Sequence, residues 1–104
     1  MNYSLHRDAE RELGEAARFY RREAGRAVAN RFLIEFERIC ELLSANPELG
    51  IPTQGQRRRF PLHGFPYSII YRPAPDGLRI LVVRHQSRDP TSRALAVDDP
   101  SAPT

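Results

Sequence analysis

Two different periods of apolar residues divide this chain of 104 residues. Tyr3 to Leu5 is short and fits a first strand. From Asp8 or a neighbour, Ala9, Leu13, Ala16, Ala17, Tyr20 and Ala24 recur at three- and four-residue steps and share one helical face. Asp8, Glu10 and Glu12 in the first turns and Arg21 and Arg22 near the end suit the helix dipole, and Gly25 supplies a stop. A second helix is predicted from about Ala27 to Ala45. Val28, Phe32, Phe36, Ile39 and Leu43 make its stripe, widened by Leu33, Cys40 and Leu42. Asn46-Pro47 ends it, because proline cannot continue the hydrogen-bond ladder. Two amphipathic helices joined around Gly25 pack as an antiparallel hairpin.

After Pro47 the period changes. Pro47 to Gly55 reads as a loop from its prolines and glycines. Arg57 to Leu62, Tyr67 to Arg72 and Leu78 to Gln86 are short strand-like runs. His63-Gly64-Phe65-Pro66 and Pro73-Ala74-Pro75-Asp76-Gly77 separate them, and Asp-Gly is a strong turn signal. The predicted fold class is α+β: a strand, an antiparallel two-helix hairpin, then an antiparallel three-stranded meander. A single domain is expected over residues 1–93, with a disordered C-terminal tail over 94–104.

Strand alternation sorts the meander into two faces. Phe60/Leu62, Tyr67/Ile69/Tyr71 and Leu81/Val83 are the richer apolar sets and are expected against the helices. The opposite face then collects Arg57, Arg59, Arg72 and Arg84, with Ser68 and Gln86 among them. Ile80 and Val82 belong to that outer set by the same count, and Arg79 and His85 to the helix side.

Charge gives this face its meaning. All 16 basic residues are arginine. Residues 1–50 carry 8 arginines against 9 acids, residues 51–93 carry 8 against 2, and residues 94–104 carry 2 acids alone. The overall +3 therefore hides a basic second half, suited to an anionic partner such as nucleic acid, an acidic protein segment or a phosphate group. Charged residues on an open sheet face also guard against aggregation, which is the plainer reading.

Several chemistries are excluded. A single cysteine, Cys40, permits neither a disulfide framework nor a multi-cysteine zinc site, and it lies on an apolar stripe as a core thiol. No cofactor and no metal are expected: there is no glycine-rich phosphate loop and no His/Cys ligand spacing. No apolar run approaches the ~20 residues of a membrane span. The first eight residues lack the apolar stretch of a secretory signal, so a cytoplasmic protein is expected. Arginine stays protonated, so none of these groups can act as a general base. Asp76 and Asp89 stand in a turn and past the last strand, and His85, the one acid/base candidate, is directed by alternation to the helix side, away from the arginine face, where a lone histidine reads as a packed, hydrogen-bonded residue.

The pattern of Ala9-Glu10-Arg11-Glu12-Leu13, Ala16-Ala17-Arg18-Phe19-Tyr20, Arg31-Phe32-Leu33 and Pro47-Glu48-Leu49-Gly50 resembles the RelE/ParE superfamily of toxins. So do Arg58-Arg59-Phe60, Phe65-Pro66-Tyr67-Ser68-Ile69-Ile70-Tyr71-Arg72 and Val83-Arg84-His85-Gln86-Ser87-Arg88-Asp89-Pro90. The superfamily supplies the toxin halves of type II toxin–antitoxin pairs, and the likeness covers about residues 3 to 92. It implies the fold predicted above and a cognate antitoxin as partner. RelE-like members cleave messenger RNA on the ribosome, whereas ParE-like members poison DNA gyrase. The RelE-like nuclease set is mostly absent here. Arg59 matches one first-strand basic position, Pro61 stands at the second, Ser68 follows Tyr67, and Gln86 follows His85 where arginines are expected. The resemblance thus implies a ParE-like gyrase inhibitor with no catalytic residue. The partner-binding candidates are Arg57, Arg59, Arg72, Arg84, Gln86 and Arg88. The alternatives are a RelE-like endoribonuclease using Arg59, Arg72, Arg84 and His85, or a non-toxic remnant that only binds antitoxin.

Overall fold

The computed structural model describes residues 3–86. Its elements are β1 (Tyr3–Leu5), α1 (Arg7–Ala24), α2 (Arg26–Ala45), β2 (Ile51–Pro52), β3 (Arg58–Pro61), β4 (Tyr67–Ala74) and β5 (Gly77–His85). The expected tail over 94–104 lies outside the described residues.

His6 starts α1. Its backbone is extended and its Nδ1 accepts the Asp8 amide at 3.1 Å, which satisfies one of the open donors of the first turn. Gly25 parts the helices with φ 97°, a left-handed-side conformation that favours glycine. Asn46 closes α2 by donating its amide and its Nδ2 to the Leu42 carbonyl, at 2.9 and 3.1 Å.

One five-stranded sheet runs β1-β5-β4-β3-β2. The predicted meander is present as β3-β4-β5, antiparallel throughout. β1 joins the outer side of β5 in parallel, pairing Tyr3, Ser4 and Leu5 with Leu78, Arg79 and Ile80. The segment expected to be all loop contains β2, in which Ile51 and Pro52 pair with Arg59 and Arg58. Proline is tolerated there because an edge strand needs no second ladder. Pairing across the chain, which local composition does not encode, makes this strand.

The hairpin covers one sheet face. Phe32, Cys40, Leu43, Ile69, Tyr71 and Ile80 are fully buried between the layers, each large apolar group contributing ~1.5–3 kcal/mol. Tyr20, Phe32, Phe65 and Tyr67 interlock with ring centroids 5.2–6.1 Å apart. Ala24, placed on the buried face by its spacing, is exposed at the last turn of α1. Burial raises the Cys40 thiol to about 12, with Glu37 and Glu41 adding to it, so this is an inert core group.

β5 corrects the alternation. Ile70 pairs with Val82 but Tyr71 pairs with Ile80, leaving Leu81 as an extra residue in a bulge. The bulge reverses the faces of the strand. Before it, Leu78 and Ile80 enter the core and Arg79 turns outward; after it, Val83 faces in and Arg84 faces out. Leu81, expected among the helix-facing residues, is only half-buried. An unbroken alternation therefore misplaces Ile80 and Arg79 and correctly places Val83.

Three polar clamps fasten the layers and the long connection. The Tyr71 hydroxyl accepts the Gly50 amide at 2.9 Å and donates to the Pro47 carbonyl at 2.8 Å. Arg58 donates to the carbonyls of Glu48 and Gly50, at 3.2 and 2.7 Å. Glu12 on α1 accepts the Val83 amide at 2.8 Å, filling the side of β5 beyond the reach of β1.

Candidate functional site: the outer sheet face

The sheet face away from the helices is built of three rows, because residues paired across strands share a face. The first row is Ser4, Arg79 and Arg72. The second is Val82, Ile70, Arg59 and Ile51. The third is Arg84, Ser68 and Pro61. The middle row thus carries three apolar residues, interrupted at β3 by Arg59, with Arg79 and Arg72 on one side of it and Arg84 on the other. Ile51 at its end is 56% exposed.

The sequence candidates fall into place unevenly. Arg59, Arg72 and Arg84 share this face as expected. Gln86 joins the Arg84 end, donating through Nε2 to Ser68 Oγ at 3.4 Å. Arg57 does not belong to the strand: it closes the preceding turn, exchanging backbone hydrogen bonds with Thr53 and Gln54, and β3 begins one residue later. Arg88 lies outside the described residues. Arg79 was missed, and the bulge is the reason; nothing in the local residue pattern marks it.

Electrostatically the face is uniform. Among the described residues, Arg59, Arg72, Arg79 and Arg84 form no ion pair with a carboxylate. Arg72 donates to the Pro73 carbonyl at 3.2 Å and Arg79 to Ser4 Oγ at 3.0 Å, neutral acceptors that leave the charges uncompensated. Such a surface attracts anionic groups and holds carboxylates or phosphates by charge-assisted hydrogen bonds.

His85 lies on the other side of the sheet. Its ring packs edge-on to Tyr67 at 5.0 Å and lines a cleft of about 510 Å³ between α1 and β5, with Phe19 and Glu12. Arg84 also lines this cleft beside His85, whereas Arg59 and Arg72 are on the opposite side of the sheet. Among the described residues, no group of three His, Cys, Asp or Glu could hold a metal ion. No helix among them is long and apolar enough to cross a membrane.

A two-helix hairpin on a mixed five-stranded sheet, with this order of elements, is the fold of RelE/ParE superfamily toxins. A sequence profile described as the ParE toxin of the type II toxin–antitoxin system parDE matches residues 3–90. The chain belongs to the ParE toxin family of type II toxin–antitoxin systems. In structure it is similar to a chain of the chromosomal ParDE toxin–antitoxin system from P. aeruginosa. That match has a TM-score of 0.71 at 22% identity and covers 82% of this chain and 95% of the other. No curated protein matches the sequence.

Proposed function

We propose that this ParE-family toxin inhibits DNA gyrase by binding it, without hydrolytic chemistry, and that a cognate antitoxin neutralises it. The observation carrying this reading is the outer sheet face: four arginines without a carboxylate, with Arg59 set among Ile51, Ile70 and Val82 and the other three on either side. Phosphates alone would match the arginines but leave these apolar residues in water. A protein surface with acidic and apolar groups matches both. Strand cleavage needs a proton acceptor within hydrogen-bond reach of the reacting hydroxyl. On this face arginine offers none, and His85 packs on the helix side of β5, where of the face's arginines Arg84 alone shares its cleft. The face, with Arg59, Arg72, Arg84 and Gln86 and the added Arg79, is assigned to the target.

The test is a supercoiling assay with purified gyrase and relaxed plasmid. The toxin blocks supercoiling or traps cleaved DNA near stoichiometric amounts. The double variant Arg59→Glu/Arg84→Glu loses this by more than roughly tenfold while its unfolding midpoint stays put, as expected for surface substitutions. No effect of the parent protein at stoichiometric excess removes gyrase as the target. Codon-linked messenger RNA cleavage after induction, abolished by His85→Ala, would replace this reading with the ribonuclease one.

A further inference from the structure

We infer that the cleft between α1 and β5 is a small-molecule site whose ligand is a purine nucleoside monophosphate. The site is independent of gyrase and of the antitoxin, and it takes a metabolite rather than a macromolecule.

The cleft holds about 510 Å³, within the ~300–1,000 Å³ of ligand pockets. Helical spacing orders one of its walls. Glu15, Phe19 and Arg22 stand at i, i+4 and i+7 of α1, so a carboxylate, an aromatic ring and a guanidinium follow one another on one face over ~10 Å. The facing wall is β5, whose Arg84 and His85 line the same cleft.

Two observations set the chemistry of the ligand. The first is an aromatic ring in the open. Phe19 is 45% exposed and meets the aromatic cluster edge-on through Tyr20, at 5.4 Å. Ring surface is left in the cleft, and a nucleobase stacks on such a surface. The second is the sorting of charge. Arg84 has no carboxylate within 4 Å among the described residues. Arg22 lies 3.9 Å from its chain neighbour Glu23, with both side chains exposed, a pairing worth little. These two guanidiniums are therefore available to an anion. Glu12 Oε1 accepts the Val83 amide, and Glu15 Oε2 lies 3.4 Å from Arg11. Each carboxylate still has a second oxygen to offer an N–H donor.

A compact dianion such as inorganic phosphate would use the arginines and leave the ring bare. An acidic peptide would set its carboxylates against Glu12 and Glu15. A nucleoside monophosphate matches all three parts of the cleft. Its phosphate takes charge-assisted hydrogen bonds from Arg22 and Arg84, its base stacks on Phe19, and the N–H edge of the base faces the carboxylates. Guanine presents two such donors side by side, which suits a carboxylate best.

The experiment is a calorimetric titration of the full-length toxin with GMP, and with guanosine and inorganic phosphate as its separate halves. GMP binds saturably at one site and more weakly with added salt. Guanosine and phosphate each bind at least about tenfold more weakly, because each lacks one of the two anchors. Phe19→Ala weakens GMP about tenfold, the scale of one base stacked on a ring. Phe19→Leu keeps the apolar bulk without the aromatic plane and weakens it comparably. Arg84→Gln also costs about tenfold, the scale of one hydrogen bond to a charged group. Arg59→Gln/Arg72→Gln, on the opposite side of the sheet, leaves the affinity unchanged. In proton NMR the His85 ring signals move with GMP while those of His6 and His63, which do not line the cleft, stay. Absence of GMP binding overturns the inference. So does binding that both Phe19 variants leave intact, or that Arg59→Gln/Arg72→Gln weakens as much as Arg84→Gln, since the charge of the sheet face is then what holds the phosphate. A single-stranded oligonucleotide that displaces GMP and binds more than about tenfold tighter also overturns it, because the cleft is then part of a nucleic-acid groove. None of these measurements involves gyrase, so the target and the cleft stand or fall separately.

Discussion

Tyr71→Phe isolates the clamp that holds the long connection after α2. Tyr71 is fully buried, and its hydroxyl joins the Gly50 amide and the Pro47 carbonyl to the sheet. Burial pushes the phenol's ionisation up, against the Gly50 amide and Arg58, so it stays a neutral hydroxyl with one proton to donate and lone pairs to accept. Phenylalanine keeps the ring and its packing and removes only the oxygen. The two lost partners are not equivalent. The Gly50 amide is buried and is left unsatisfied, at ~1–3 kcal/mol, whereas the partly exposed Pro47 carbonyl regains water for a loss of ~0.5–1 kcal/mol. A total of about 1.5–4 kcal/mol, centred near 2.5, follows, a large share of a small domain's ~5–15 kcal/mol. In urea, with a slope of ~1–1.5 kcal/mol/M, the midpoint falls by roughly 2 M. Gly50→Ala tests the same contact from the other side. A Cβ there runs into the Tyr71 hydroxyl and lies 2.8 Å from its ring and 2.9 Å from Arg58 Cβ, and the buried ring has nowhere to retreat. In the double variant the worst clash is gone, so it costs less than the sum of the two single variants. A Tyr71→Phe protein within about 0.5 kcal/mol of the parent, the range of ordinary surface changes, refutes the clamp.

Three further outcomes are expected. Glu12→Ala costs about 1–2 kcal/mol by leaving the Val83 amide without its acceptor, while Glu12→Gln keeps most of the stability; faster hydrogen exchange at Val83 in the alanine variant locates the effect. Glu35 gives a pH signature. Burial would raise its carboxyl, but hydrogen bonds from Arg38 and the His63 amide outweigh that and hold it below the ordinary value. Its stabilising contribution is thus complete above the unfolded carboxyl's ~4.3 and is lost as pH falls through the lower folded value, so the stability gap between the parent and Glu35→Gln narrows on acidification from about pH 6 to pH 3. Cys40 reacts with a maleimide only at the rate of unfolding; rapid labelling of the native protein contradicts its burial and its thiol's rise to about 12.

The elements themselves were legible because their determinants are local. Gly25, Asn46-Pro47 and Asp76-Gly77 punctuate the chain, and helical spacing picked out Ala9, Ala16, Phe32, Phe36, Ile39 and Leu43, all buried. Alternation put Arg59, Arg72 and Arg84 on one face because β3, β4 and the end of β5 are regular there. The family resemblance was legible for the same reason: it rests on contiguous motifs, and the matched profile spans them.

What escaped the sequence depends on partners far along the chain. β2 exists only because β3 lies beside it. The bulge at Leu81 arises where β5 pairs with β4, and it decides that Ile80 is core and Arg79 belongs to the arginine face. The hairpin's charge looks balanced until two helices are folded antiparallel, which brings Arg18 and Arg21 beside Arg26. Sequence alone therefore determined the class of fold and the presence of an arginine-bearing sheet. Tertiary structure decided which arginines stand together and what lies between them, because faces and grooves are properties of paired and packed elements rather than of residue order.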